Sequence, residues 1–328
     1  MVKKNAYIPI KQLHESKWLN DLRAKYGSCF YAIDPYVEVF QLRQNMWAML
    51  APCTHAVGDN WIYLIEGPEK AIFIDNGYGI GNLRGLGEML TGKPCITAPT
   101  HFHGDHAYGS AQFDEIYCHK YCADMMQQMM NQQAWDRFQH VGEDQFRPYF
   151  LEKDVLPSFV CQPIPCENHH IINLGEDYDI ELIHTGGHAP GLSCFLDKKS
   201  RILYTGDAVF ESPDDMPGLG TGLGGGPKKG KGRYEMLHSE CMDFRFYMEQ
   251  IEALAERVGE WDYCMPGHGP IDSPATIVTD TRDAIRVAVH TPEKYDEVVN
   301  RGLGREDEYN VRRGLARVRY AMSVVKGE

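Results

Sequence analysis

The pattern of apolar and polar residues divides the chain into two similar blocks, each of strands followed by helix. The first opens with "VEVFQL" (37–42) and continues with "WIYLIEGPEKAIFIDNGYG" (61–79), where two β-branched and aromatic runs flank the turn "EGPEK" and predict a hairpin. An amphipathic segment over Leu83–Leu90 follows, then a short strand, "CITAPT" (95–100). In "HKYCADMMQQMMNQQAWDRFQHV" (119–141), Met125, Met126, Met129 and Met130 form a helical stripe that meets Trp135 and Phe138. Core packing is the favoured reading, although flexible thioethers also suit a pocket that adapts to substrates. The second block repeats the pattern with "IINLGEDYDIELIHTGG" (171–187) and "LSCFLDKKSRILYTGD" (192–207), the latter turning at "LDKKSR". A helix from about Ser239 to Val258 carries Tyr247, Ile251, Leu254, Ala255 and Val258 on one face. The short strand "WDYCMP" (261–266) and a mostly helical tail from about Ser273 complete the pattern. Strands then helices, twice over, predict sheets packed face to face with helices outside, a layered α/β arrangement.

Composition narrows the function. A chain of 328 residues with 43% hydrophobic content can bury a substantial core. No apolar stretch has signal-peptide character, and none reaches the roughly 18 to 20 residues of a membrane span, so a soluble, cytoplasmic protein with no membrane partner is expected. The 10 cysteines form no framework; "CHKYC" and "CQPIPC" lack zinc-ribbon spacing, and packed reduced thiols are expected. A formal charge of −13 argues against nucleic acid as a partner. The basic clusters "KKGKGR" (228–233) and "VRRGLARVR" (311–319) read as solvated surface.

Candidate chemistry concentrates in "ITAPTHFHGDHAYGSAQF" (96–113), which holds His101, His103, Asp105 and His106. Imidazole and carboxylate are ordinary ligands of divalent ions, and a loop after a strand can aim several of them at one point. With one residue between them, His101 and His103 can face one side, while Asp105 and His106 can face a second ion. Further ligands are available in three other loops that follow strands: His188 in "HTGGHAPG", Asp207 in "LYTGDAVF" and His268 in "CMPGHGP".

The strings "THFHGDH", "HTGGHAPG", "TGD" and "PGHG", in this order, with "FIDNGYG" before them, closely resemble the metallo-β-lactamase-fold metallohydrolases, among them glyoxalase II-like thioesterases and acyl-homoserine-lactone lactonases. The resemblance covers roughly residues 50–270. It implies a four-layer αβ/βα sandwich, read as a single domain with an N-terminal extension (1–49), a catalytic core (50–272) and a C-terminal extension (273–328). It also implies two divalent ions: one held by His101, His103 and His188, the other by Asp105, His106 and His268, with Asp207 bridging and Asp75 behind the ligands, fixing their orientation. Gly186 and Ala189 stand where the usual string has Pro and Thr; neither is a ligand. Aspartate at 207, where the main type of zinc β-lactamase has a cysteine ligand, speaks against antibiotic hydrolysis.

The expected activity is hydrolysis of an ester, thioester or lactone bond of a small molecule by a metal-bridging hydroxide, since two ions about 3.5 to 4 Å apart lower the pKa of a shared water towards roughly 7. Asp105 is the expected catalytic residue, orienting the hydroxide and passing a proton to the leaving group. Zinc is the default for such ligands, and iron or manganese suits them too. Alternatives of the same fold are a mononuclear iron persulfide dioxygenase and a phosphodiesterase. The Gly/Lys-rich loop 211–236 reads equally as a surface insertion or as a contact for an anionic substrate tail through its three lysines and Arg233, and Tyr234 at its end is placed to hydrogen-bond a carbonyl or leaving group or to serve as pocket wall. The N-terminal stretch and the Arg-rich tail are candidate contacts of a homodimer.

Overall fold

The computed structural model describes residues 16–51, 60–130, 152–214, 218–220, 236–300 and 306–326. Two compact units emerge: 1–118 with 126–164 and 172–179, and 119–125 with 165–171 and 180–328.

The first unit is built on one sheet. Helix α1 (Lys17–Tyr26) precedes β1 (Cys29–Tyr31), β2 (Asp34–Arg43), β3 (Met46–Ala51), β4 (Asn60–Glu66) and β5 (Ala71–Ile74), each antiparallel to the one before. After α2 (Leu83–Thr91), β6 (Cys95–Ala98) joins parallel to β5 and completes the spatial order β1-β2-β3-β4-β5-β6. The hairpin expected at "EGPEK" is the β4–β5 connection, closed by Gly67 N donating to Lys70 O (3.0 Å). Strands β3, β4 and β5 are buried along almost their whole length, which explains their continuous apolar runs. The stretch read as an N-terminal extension, residues 1–49, supplies β1, β2 and most of β3 of this sheet. The short α3 (Gly104–Ala107) follows β6.

Helix α4 (Lys120–Met129) carries the methionine stripe; Met125, Met126 and Met129 are buried, as core packing requires. Met130 is half-buried, and Trp135 and Phe138 lie outside the described residues.

In the second unit, β7 (Asp179–His184), β8 (Ser193–Asp197) and β9 (Ile202–Gly206) form antiparallel neighbours. Further along the chain come β10 (Leu219–Gly220), then α5 (Phe244–Glu256), β11 (Tyr263–Pro266), β12 (Ser273–Pro274) and α6 (Ile277–His290). Strand β11 pairs parallel with β9, and the five strands named here follow the order β12-β11-β9-β8-β7 within a six-stranded sheet. The expected helix over Ser239–Val258 is shorter: the Asp243 carboxylate accepts from the backbone N–H groups of Arg245 and Phe246, so the α-helix starts at Phe244, after a 3₁₀ turn over Ser239–Met242.

The tail departs from the mostly helical expectation. Helix α6 is followed by β13 (Glu297–Val299), β14 (Glu308–Arg313) and β15 (Ala316–Tyr320), which with β10 form a second sheet in this unit, before the short α7 (Met322–Lys326). Ala316, Val318 and Tyr320 are buried while Arg317 and Arg319 between them are half-buried. The arginines are therefore the alternate positions of a strand, whose period of two was masked by their charge. Among the described residues, Cys29, Cys95, Cys118, Cys122, Cys161, Cys166, Cys194, Cys241 and Cys264 are free thiols. No helix among the described residues is long and apolar enough to cross a membrane.

Candidate metal centre

Parallel pairing of β5 and β6, with Ile74 opposite Ala98, sends both chains out at the same sheet edge. Asp75 leaves β5 with φ of 62°, a left-handed conformation uncommon for a residue with a side chain. Its Oδ1 accepts from Thr100 N (2.7 Å), and its Oδ2 accepts from Thr100 Oγ1 (3.2 Å) and pairs with His106 Nδ1 at 2.8 Å. With Nδ1–H directed at this carboxylate, His106 presents the Nε2 lone pair on its other side. That Nε2 stands 3.5 Å from Asp105 Oδ2.

The loop itself is held by its backbone. His103 caps α3, accepting at its carbonyl from His106 N (3.0 Å) and Ala107 N (2.9 Å), which brings Asp105 and His106 round beside His101 and His103. His101 Nε2 and His103 Nδ1 are 2.9 Å apart, and Thr100 Oγ1 lies 3.1 Å from His101 Nδ1. Two residues unremarked in the sequence clamp the loop from beneath. Asn60 Nδ2 donates to the Asp105 carbonyl (2.6 Å); Asn76 donates from its backbone to His106 O (2.9 Å) and from its side chain to Ser110 Oγ (2.9 Å) and Thr97 Oγ1 (3.1 Å).

The second unit repeats this edge. Strands β9 and β11 run parallel, with Gly206 opposite Pro266, so Asp207 and the Gly267–His268 loop emerge together, and Gly267 N donates to Gly206 O (2.8 Å). Because β8 is antiparallel to both its neighbours, β7 ends at this edge too and leads into the turn that carries His188. The two oxygens of Asp207 face different imidazoles: Oδ2 is 3.4 Å from His188 Nε2, and Oδ1 is 3.6 Å from His268 Nε2.

The separations of 3.4 to 3.6 Å suit a shared ion better than a hydrogen bond, whereas His101 Nε2 and His103 Nδ1, 2.9 Å apart, are within hydrogen-bond distance. Ligand atoms on one tetrahedral zinc stand about 3.3 Å apart, given bonds near 2 Å, whereas a polar contact at 3.6 Å is too long for a hydrogen bond. The donor set, imidazole nitrogen and carboxylate oxygen, fits zinc and also iron or manganese.

A family model described as "Metallo-beta-lactamase superfamily" matches residues 56–295. The chain belongs to this superfamily. Among curated relatives, the acyl-coenzyme A thioesterase MBLAC2 of Homo sapiens is 28% identical over 168 residues, 46% of this chain and 58% of the relative, and its Bos taurus counterpart matches equally. The match thus spans somewhat over half the length of these curated relatives. Among solved structures, a metallo-beta-lactamase from Pontibacter korlensis aligns with a TM-score of 0.52 at 16% identity, covering 76% of this chain and 99% of that one. A metallo-beta-lactamase family protein from Thermus thermophilus aligns with a TM-score of 0.53 at 16% identity, covering 79% and 85%. The α/β metallo-β-lactamase fold implied by the motifs is thereby borne out.

Sequence reasoning passed over Thr100, Asn60, Asn76 and Tyr247. Thr100 adjoins "HFHGDH", and its neighbourhood was a usable signal. Tyr247 lies on the apolar stripe of α5 and reads as core; the structure buries it fully, with its hydroxyl donating to the carbonyl of Ala208. Burial pushes this phenol well above its ordinary value, so it stays a donor. Of the loop 211–236, residues 215–217 and 221–235, with the lysines, Arg233 and Tyr234, lie outside the described residues.

Proposed function

We propose that this chain is a metal-dependent hydrolase of small acyl compounds, with a thioester as its substrate class and two divalent ions, zinc by default, as its cofactor. Following the motifs, one ion is assigned to His101, His103 and His188, the other to Asp105, His106 and His268, with Asp207 bridging. The observation that carries this reading is the spacing of Asp207, each of whose oxygens faces a different imidazole at 3.4 and 3.6 Å. A carboxylate so placed is suited to join two ions.

Bound there, divalent ions supply Lewis acidity for a carbonyl oxygen and lower the pKa of a coordinated water. The chain's own residues do the rest. Asp75 holds the His106 tautomer, and Thr100 steadies both Asp75 and His101. Asp105 is half-buried and anchored through its carbonyl by Asn60, which leaves its carboxylate suited to orient the attacking water and to pass a proton to the leaving group. No serine or cysteine nucleophile is needed. The thioester assignment draws on the thioesterase named among the relatives.

The test is elemental analysis of the purified chain, then turnover of acyl-coenzyme A thioesters beside lactones, bis-p-nitrophenyl phosphate, and oxygen uptake with glutathione persulfide. Thioester turnover that ends on chelation and returns with metal is expected. Preferred turnover of the phosphodiester, or oxygen consumption, overturns the substrate assignment.

A further inference from the structure

The His188 turn carries two adjacent glycines, Gly186 in place of the usual proline and Gly187 as in the usual string, and their neighbours explain both. Gly186 and Gly187 have φ of 60° and 81°, a conformation that suits glycine, and neither leaves room for a side chain. A Cβ on Gly186 would stand 2.4 Å from the Cys241 carbonyl oxygen, and one on Gly187 would stand 2.5 Å from the ring of Tyr247. Gly187 N also donates to Cys241 O (2.8 Å). The turn that carries His188 is therefore pressed directly onto the start of α5. From there the same Tyr247 reaches the other side: its hydroxyl donates to the carbonyl of Ala208, the residue after Asp207. One buried side chain thus touches the residue before one proposed ligand and the residue after another.

We infer that Tyr247 is a positioning residue of the metal centre: its ring fixes the height of the His188 turn and its hydroxyl fixes the Asp207 loop, so that the imidazole and the carboxylate are held at ion-sharing distance. The inference rests on the reading of His188 and Asp207 as metal ligands. Asp207 and His268 are already tied by the backbone bond from Gly267 N to Gly206 O, whereas β8 lies between the strands that lead to His188 and to Asp207. Tyr247 supplies the connection by side chain. Removing the hydroxyl leaves the buried Ala208 carbonyl without this donor and frees the loop to shift, while the ring and its packing stay.

The experiment compares Tyr247→Phe with Tyr320→Phe, a matched loss in the same unit, since Tyr320 also donates its hydroxyl to a backbone carbonyl, that of Pro292 (2.7 Å). Both chains are titrated with cobalt(II) against a competing chelator, the d–d absorption bands are recorded, and Tm is measured on the metal-free proteins. Tyr247→Phe is expected to weaken cobalt binding about 10-fold or more and to alter the bands, the range seen when supports behind metal ligands are removed; Tyr320→Phe is expected to bind as the unaltered chain does. Gly187→Ala approaches the same contact from the opposite side and is expected to weaken binding with the phenol intact. Cobalt affinity and bands unchanged in Tyr247→Phe, with only Tm reduced, would overturn the positioning role. His188→Ala and Asp207→Ala separate the two claims: if they too bind cobalt as the unaltered chain does, the metal-centre reading has failed, whereas if they lose it and Tyr247→Phe does not, only Tyr247 has lost its role.

Discussion

The two units arrive at similar donor spacings by different routes. In the first, four proposed ligands share one loop after β6, and one helical turn capped by His103 places them, so short-range backbone bonds settle most of the geometry. In the second, His188, Asp207 and His268 come from three loops far apart in the chain, aligned by strand direction and then by a glycine turn, a backbone bond and a tyrosine. The difference teaches where each half is vulnerable. The first depends on what lies behind its side chains, chiefly Asp75 and Thr100; the second depends on how closely its backbones approach one another.

Removing ligands tests both halves at once and has the largest expected effect. His103→Ala and Asp207→Ala should each reduce turnover to background and lower metal content; near-normal activity in either would contradict the shared centre. Next comes the carboxylate behind His106. Asp75→Asn keeps the shape but removes the charge that His106 Nδ1 faces at 2.8 Å, and should weaken metal binding by about 10- to 100-fold.

Backbone approach is probed by adding a methyl group. In Gly187→Ala the left-handed φ of 81° and the ring 2.5 Å away act together, for an expected loss of about 2–4 kcal/mol in urea unfolding. Gly92→Ala, with φ of 68° and nothing within 4 Å, should lose only about 1 kcal/mol. Equal losses would mean that close packing of the His188 turn contributes nothing beyond its conformation.

What the sequence revealed follows the same division. The first half was legible almost entirely, because ligands crowded into one loop make a string that no core or surface requirement produces. The second was legible as isolated motifs after strands, and only the resemblance joined them. Tyr247 was invisible because a positioning residue on an apolar helix face has the same spacing as a core residue; nothing in "FRFYMEQIEALAE" distinguishes it from Ile251 or Leu254. The tail strands were missed for the opposite reason, since arginines at alternate positions of β15 drew attention to charge and away from the buried Ala316, Val318 and Tyr320 between them.

The pH-dependent effects are of opposite sign in the two units. In the first, burial pushes the Asp34 carboxyl up to about 7, against backbone donors from Tyr36 and Asn82. The folded chain holds that proton more tightly than the unfolded chain, so its contribution is complete below pH 3.8 and is lost as pH rises through about 7. In the second, burial of Glu181 works against it, but hydrogen bonds from Arg257, His169 and Lys198 prevail and hold its pKa at about 2. Its contribution is complete above pH 4.5 and is lost as pH falls towards 2. Urea unfolding across this range should show Asp34→Asn gaining on the unaltered chain as pH rises, and Glu181→Gln drawing level with it as pH falls. Parallel curves for either variant would contradict the corresponding environment.

The central claim is the proposal that the chain holds two ions and that Asp207 is needed to hold them both. The direct measurement is metal stoichiometry by elemental analysis, after loading with zinc and removal of the excess, for the unaltered chain and for Asp207→Ala. The account predicts two ions per chain in the first and a clear deficit in the second; equal metal content in both, or none in the unaltered chain, would contradict it.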